Sequence, residues 1–410
     1  MPRCSFACLL LLVSTSPIAA DWPQFRGPAG DGHSAEKGLP TEWTTTKNVA
    51  WKRELPGAGW SSPVVAAGQV YLTTAVEDGK HLSFRALCLD AADGKIAWNV
   101  EVFRHEKAKA PRIHGKNSHA SPTPLVDAGR LYVHFGHQGT ACLDLDGTVV
   151  WKNDSLGYSP VHGNGGSPIL VDGLLVFSTD GATIREVVAL DAGSGKLRWR
   201  TKRSGSPGQP FSFSTPQIIT VAGQKQILSP GSDMLGAYDP ADGKEIWRVR
   251  YRGYSVIPKP IFKHGLVILS TSFDAPEVLA VRPDGQGDVT DTHIVWRLNK
   301  GAPHTPSPLC VGDELYLVSD AGLGSCLDLR TGKVHWQKRL GGNGYSASPV
   351  YADGKIYFQA EEGLATVVKP GTTYVQLARN PLGERTLASF AVADGSLFIR
   401  TATHLYRIGK

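Results

Sequence analysis

The chain has 410 residues, with 43 Lys and Arg against 37 Asp and Glu, for a formal charge of +6. That balance is too mild to point to nucleic acid, and no apolar run approaches the ~20 residues of a membrane-spanning helix. The 46 Gly and 27 Pro break the chain into short apolar runs without helical periodicity, which excludes a helical solenoid.

In chain order, the basic Arg3, the apolar stretch Phe6 to Val13 and the small Ala19 and Ala20 before Asp21 read as a secretory signal over residues 1–20. Cleavage after Ala20 leaves a mature chain of roughly 390 residues, periplasmic or secreted. Cys4 and Cys8 lie inside the signal. Cys88, Cys142, Cys310 and Cys326 stand apart from one another, with no metal or haem spacing, and are expected as buried free thiols. Residues 21–48 form an N-terminal extension, and residues 49–410 carry a repeat.

The repeat is clearest in Ala86-Leu87-Cys88-Leu89-Asp90-Ala91-Ala92-Asp93-Gly94-Lys95-Ile96-Ala97-Trp98. Aromatic residues recur at Trp51, Trp98, Trp151, Trp199, Trp247, Trp296, Trp336 and Tyr374, which makes eight units. A second marker keeps the same count. Ser62-Pro63, Ser121-Pro122, Ser167-Pro168, Thr215-Pro216, Ile257-Pro258, Ser307-Pro308, Ser348-Pro349 and Ser389-Phe390 each open an apolar run. Short strands separated by Gly and Asp turns give four antiparallel strands per unit, so the predicted fold is an all-β, eight-bladed propeller. The tryptophans fall on the outer strand of each blade and are expected to be buried against the next blade. The last unit lacks a tryptophan strand, and Val49 to Leu55 is expected to supply it and close the ring.

The stretch Ala189-Leu190-Asp191-Ala192-Gly193-Ser194-Gly195-Lys196-Leu197-Arg198-Trp199 resembles the PQQ-like repeat, and the resemblance covers about residues 49–410. The opening Trp22-Pro23-Gln24-Phe25-Arg26-Gly27-Pro28 is similar to that of exported PQQ-like propellers. The resemblance implies the fold, and it implies two functional classes. One is a non-catalytic scaffold, like the lipoprotein of the outer-membrane β-barrel assembly machinery. The other is a quinoprotein dehydrogenase using PQQ with calcium. The enzymatic branch uses adjacent cysteines and a haem partner, and neither adjacent cysteines nor a haem motif is present here. The reading is therefore an exported, monomeric, non-catalytic module for a protein, peptide or glycan partner, with no cofactor and no metal.

Three or four positions ahead of the Ser-Pro markers stand Trp60, His119, Asn164, Phe213, Tyr254, His304 and Tyr345, with Arg385 in the last unit. On one loop face they are expected to border the pore mouth and to bind ligand by stacking and hydrogen bonding. Asp180, Asp233, Asp274, Asp320 and Glu361 recur near the turns between second and third strands and read as turn residues. Arg198, Arg200, Arg248, Arg250 and Arg252 alternate with apolar residues and are expected to point outward. The long connection from Trp98 to Ser121 carries Arg104, His105, Lys107, Lys109, Arg112, His114 and Lys116 and is expected to fold over the mouth as a lid.

Overall fold

The computed structural model describes residues 21–274 and 276–409; the expected signal segment, residues 1–20, lies outside the described residues. Eight antiparallel sheets follow one another in sequence: 64–106, 125–153, 169–202, 217–250, 261–298, 309–339, 350–381 and 391–408. They are numbered here as blades 1 to 8, with strands a to d running from the axis outward. Strand d of blade 8 comes from the other end of the chain. Val49–Glu54 pairs antiparallel with His404–Ile408, Trp51 lying opposite Arg407 and Glu54 opposite His404. Glu384 fastens this closure, taking hydrogen bonds from Lys52, Thr401 and Tyr406. Burial opposes its ionisation, but those bonds outweigh burial and hold its carboxyl at about 2.

The tryptophan of each repeat works across a blade boundary. Trp51, Trp98, Trp151, Trp199 and Trp296 each donate from Nε1 to a carbonyl in the c–d turn of the following blade, at 2.9–3.0 Å. The rings lie flat on the glycine of that turn: a Cβ on Gly94, Gly147, Gly195, Gly243 or Gly332 would sit 2.4–3.0 Å from them. The same glycines have φ between +69° and +92°, so the repeat's Gly serves both the turn and the docking of its neighbour's indole. Trp151, Trp199, Trp247 and Trp336 are buried, whereas Trp51, Trp98 and Trp296 are only half-buried.

Three expected positions shift. Tyr374 does not occupy the tryptophan site of blade 7: Ala378 pairs there with Val367, and Tyr374 packs edge-on against Trp336 of blade 6. The missing aromatic between blades 7 and 8 comes instead from the N-terminal extension, whose buried Trp43 stacks on Tyr357 at 6.2 Å. The strand-a markers of blades 2 and 5 are Thr123-Pro124 and Lys259-Pro260, two residues later than Ser121-Pro122 and Ile257-Pro258, because these blades' strands begin at Leu125 and Ile261. Among the described residues, Cys88, Cys142, Cys310 and Cys326 are buried free thiols, as expected.

Candidate functional site

The N-terminal extension runs beneath the ring on the face of the a–b turns. Trp22 bridges Val65 of blade 1, Pro23 accepts from Val126 of blade 2, and His33 bridges Tyr351 of blade 7. Between these anchors Arg26, 1% exposed, donates to the carbonyls of Pro308 and Pro349 at the starts of blades 6 and 7. Phe25 thereby forms the floor of the axial channel, which becomes a cup of about 360 Å³ open toward the d–a loops.

Inside the cup the strand-a markers form a chain of hydrogen bonds around the axis. The backbone N–H groups of Ser62, Thr123, Ser167, Lys259, Ser307, Ser348 and Ser389 donate to the hydroxyls of Thr123, Ser167, Thr215, Ser307, Ser348, Ser389 and Ser62, at 2.9–3.1 Å. Each hydroxyl thus satisfies an amide of the preceding blade. The chain breaks once, between Thr215 and blade 5, where Lys259 stands in the hydroxyl's place and Ser214 donates to Pro258 instead. Lys259 is buried beside Arg26, and burial first, then the Arg26 charge, push its ammonium down to about 7 against the pull of Asp31.

Above this ring the wall is aromatic. Phe211, Phe213, Tyr254 and Phe273 form an arc across blades 3 to 5 with ring centroids 5.7–6.4 Å apart. Trp60 faces them from blade 1, with the Arg385 guanidinium 5.6 Å from its centroid. The long loop after blade 1 lies across the mouth. On one side the His114 amide and the Asn117 side chain donate to the carbonyl of His162, and on the other Lys116 reaches Glu361 at 2.7 Å while Arg385 donates to Gly115. Its outer part is neutralised, because Arg104 pairs with Asp78, Lys107 with Glu77 and Lys109 with Glu106.

Of the expected mouth residues, Trp60, Phe213 and Tyr254 line the cup, and Arg385 sits at the rim over Trp60. The other four lie behind its wall. His119 packs edge-on against Phe84, and burial lowers its pKa. Asn164 bridges Tyr158 and His137, His304 packs on Phe273, and Tyr345 is buried with its hydroxyl on Gly341. The d–a loops differ in length and path, so a fixed count back from the marker does not land on one face. His114 and Lys116 of the expected lid do line the cup, whereas Phe25, Asn117, His162, Phe211 and Phe273 carry no mark in the sequence reading. Only Phe211 had a usable signal, being two residues from Phe213 and on the same side of an extended segment.

The recurring acids pin these loops. Asp320 accepts from the His304 and Thr305 amides, Asp233 pairs with Arg185, and Asp180 forms a fully buried pair with Arg203. The outer arginines point outward as expected but meet acids: Arg198 with Asp191, Arg200 with Glu186, and Arg248 and Arg250 with Asp288. Gly287-Asp288 also adds a short parallel strand that covers the edge of blade 4.

Comparison with known proteins agrees with this architecture. The crystal structure of BamB from Moraxella catarrhalis superposes with a TM-score of 0.62 at 12% identity, covering 88% of this chain and 97% of that one. The quinohemoprotein alcohol dehydrogenase ADHIIG from Pseudomonas putida HK5 gives 0.65 at 12% identity, covering 95% and 80%. At such identities these likenesses speak to fold alone. Among curated sequences, the outer membrane protein assembly factor BamB of Moranella endobia (strain PCIT) is 29% identical over 191 residues, 43% of this chain and 48% of that protein. The Yersinia pestis protein of the same name is 23% identical over 214 residues, 48% of this chain and 52% of that protein. The matched region therefore spans about half the length of these relatives. The family described as outer membrane protein assembly factor BamB matches residues 34–111, 88–253 and 287–396. With most of the chain so covered, this protein belongs to that family of PQQ-like propellers.

Proposed function

We propose that the chain is an exported, monomeric, non-catalytic module that holds a protein or peptide partner by its loop face, with the lidded cup as the contact point. The observation that carries this reading is the cup itself: a blind cavity with an aromatic wall, bridged by a loop held through a few solvent-exposed contacts. Exposed ion pairs of this kind contribute about 0–1 kcal/mol, so the loop can be displaced by a partner that replaces them. The names of the curated relatives, assembly factors at the outer membrane, support a protein partner outside the cytoplasm. Among the described residues no helix is long and apolar enough to cross a membrane, which agrees with a module that acts beside one.

The dehydrogenase reading fits the cup poorly. Calcium takes six to eight oxygen ligands, with carboxylates prominent among them. The lining offers hydroxyls, amides, imidazoles and aromatic rings but no carboxylate, and nearby Asp180, Asp320 and Glu361 are already committed to Arg203, the Thr305 loop and Lys116.

The test is capture of partners from the native envelope fraction by wild type, by Trp60→Ala with Phe213→Ala, and by a belt variant with Arg198, Arg200, Arg248 and Arg250 changed to Gln. The cup variant should lose at least tenfold in capture while the belt variant keeps it. Loss confined to the belt variant would move the working surface to the outer strands.

A further inference from the structure

The cations of the outer strands are not treated alike around the ring. On blades 3 to 5 they meet acids: Arg198 pairs with Asp191, Arg200 with Glu186, Arg248 and Arg250 with Asp288, and Arg297 with Glu277. Blades 6 and 7 differ. From residue 330 to residue 381 the ion pairs are Arg330 with Asp313, Lys355 with Asp353 and Lys116 with Glu361. Lys333, Lys338, Arg339, Lys369 and Arg379 are exposed, and among the described residues none of the five meets a carboxylate. Neither strand d carries an acid, for Val334–Arg339 reads Val-His-Trp-Gln-Lys-Arg and Val375–Pro381 reads Val-Gln-Leu-Ala-Arg-Asn-Pro. Asp328, in the turn before the first, is occupied by Thr331, and Glu362 accepts from the Asn343 amide.

The five cations belong to one patch. Trp336 of blade 6 donates to the carbonyl of Gly371 and packs against Tyr374, which seats the c–d turn of blade 7 beside strand d of blade 6. That brings Lys333 and Lys369 to one end of the paired edges. At the other end Arg379 lies over Gly341, two residues beyond Arg339, where a Cβ would sit 3.1 Å from the guanidinium carbon. Along the strands between these ends, Val334, Val375 and Leu377 are 39–42% exposed.

The form of the patch limits what can cover it. An added strand is disfavoured, because a register shift interrupts the ladder behind each edge, at Cys326/Leu327 and at Val367/Val368, and Pro381 has no N–H to give. The rim is convex, and a plane laid against an eight-bladed ring touches two neighbouring edges at once. An anionic bilayer is such a plane. Its phosphates accept from Lys and, by two bonds at a time, from Arg, while apolar side chains enter the headgroup boundary and the long stems of Lys and Arg lie along it. We infer that the outer edges of blades 6 and 7 dock on the surface of an anionic lipid bilayer, so that the propeller rests on its rim and the mouth of the cup faces along the membrane. This goes beyond the cup and does not depend on it.

The experiment is flotation of the mature protein with vesicles of neutral phosphatidylcholine alone and of phosphatidylcholine with phosphatidylglycerol. Wild type should bind the anionic vesicles at least tenfold better than the neutral ones, and added salt should weaken that binding. Each cation near an anionic surface is worth about fivefold in partitioning, so Lys338→Glu with Arg339→Glu and Arg379→Glu should lose at least tenfold. The same reversal at Arg198, Arg200 and Arg248 should leave binding within about twofold, since acids already screen that belt. Circular dichroism checks folding. Should the first variant not fold, an environment-sensitive fluorophore on Leu377→Cys decides: its emission should shift to the blue on anionic vesicles, and the same label on Arg200→Cys should not respond. Equal binding to neutral vesicles, unchanged binding in the folded blade 6 and 7 variant, or a response from position 200 alone would overturn the inference. Binding of soluble polyglutamate at this patch with none to vesicles would also overturn it, because the occupant would then be an acidic polypeptide. Partner capture without vesicle binding would sink this inference and leave the cup reading standing, and vesicle binding without partner capture would do the reverse.

Discussion

Lys259 takes the place of the hydroxyl that seven other blades place on the axis, and its cost has a pH signature. Its ammonium sits at about 7 in the folded protein, pushed down chiefly by burial, against an ordinary value of 10.5. A lysine held low binds its proton more readily in the unfolded chain, so stability rises with pH between those values and the full penalty applies below about pH 7. Lys259→Met should therefore melt higher than wild type at pH 6–7, with the gap narrowing toward pH 9. A gap independent of pH in thermal denaturation would show that the ammonium is not held low. Local sequence does not single this residue out, because Ile257-Pro258 two positions earlier serves equally well as the marker. Both Ile-Pro and Lys-Pro precede an apolar run, and only the strand start at Ile261 tells them apart.

Strands carry the repeat, and here the sequence was most legible. The four strands, the tryptophan of strand d and the closing strand Val49–Glu54 all follow from local spacing, since each tryptophan and the glycine it rests on sit in consecutive repeats. What spacing does not reveal is how far each indole is covered. Trp151, Trp199, Trp247 and Trp336 should each cost about 3 to 5 kcal/mol when cut to alanine, and half-buried Trp98 and Trp296 about 1 to 2 kcal/mol less, in proportion to the area already in water. Urea denaturation of the six variants reads this order directly, and equal losses throughout would contradict it. Trp43 belongs with the buried group although it lies outside every repeat. No local pattern announces a residue that fills a gap left some 335 positions away, opposite Val367 at Ala378.

At the scale of the whole molecule, two non-repeating segments turn a symmetric ring into a directed one. The extension blocks one end of the channel with Phe25 and Arg26, and the loop after blade 1 bridges the other from blade 3 to blades 7 and 8. The lid was legible from its excess length and its basic residues. The plug was not, because its contacts run to blades 1, 2, 6 and 7, which lie close to it only once the ring has closed. Mouth residues counted back from the markers reached the cup at Trp60, Phe213 and Tyr254, and missed it at Asn164 and Tyr345, whose side chains bond into the wall. The central proposal is that the cup is the surface that meets the partner. A photo-cross-linking amino acid placed at Phe213, and separately at Arg200 on the outer strand of blade 3, tests this in the native envelope. A discrete cross-linked partner is expected from position 213 and none from position 200; a partner trapped only from position 200 would contradict the proposal.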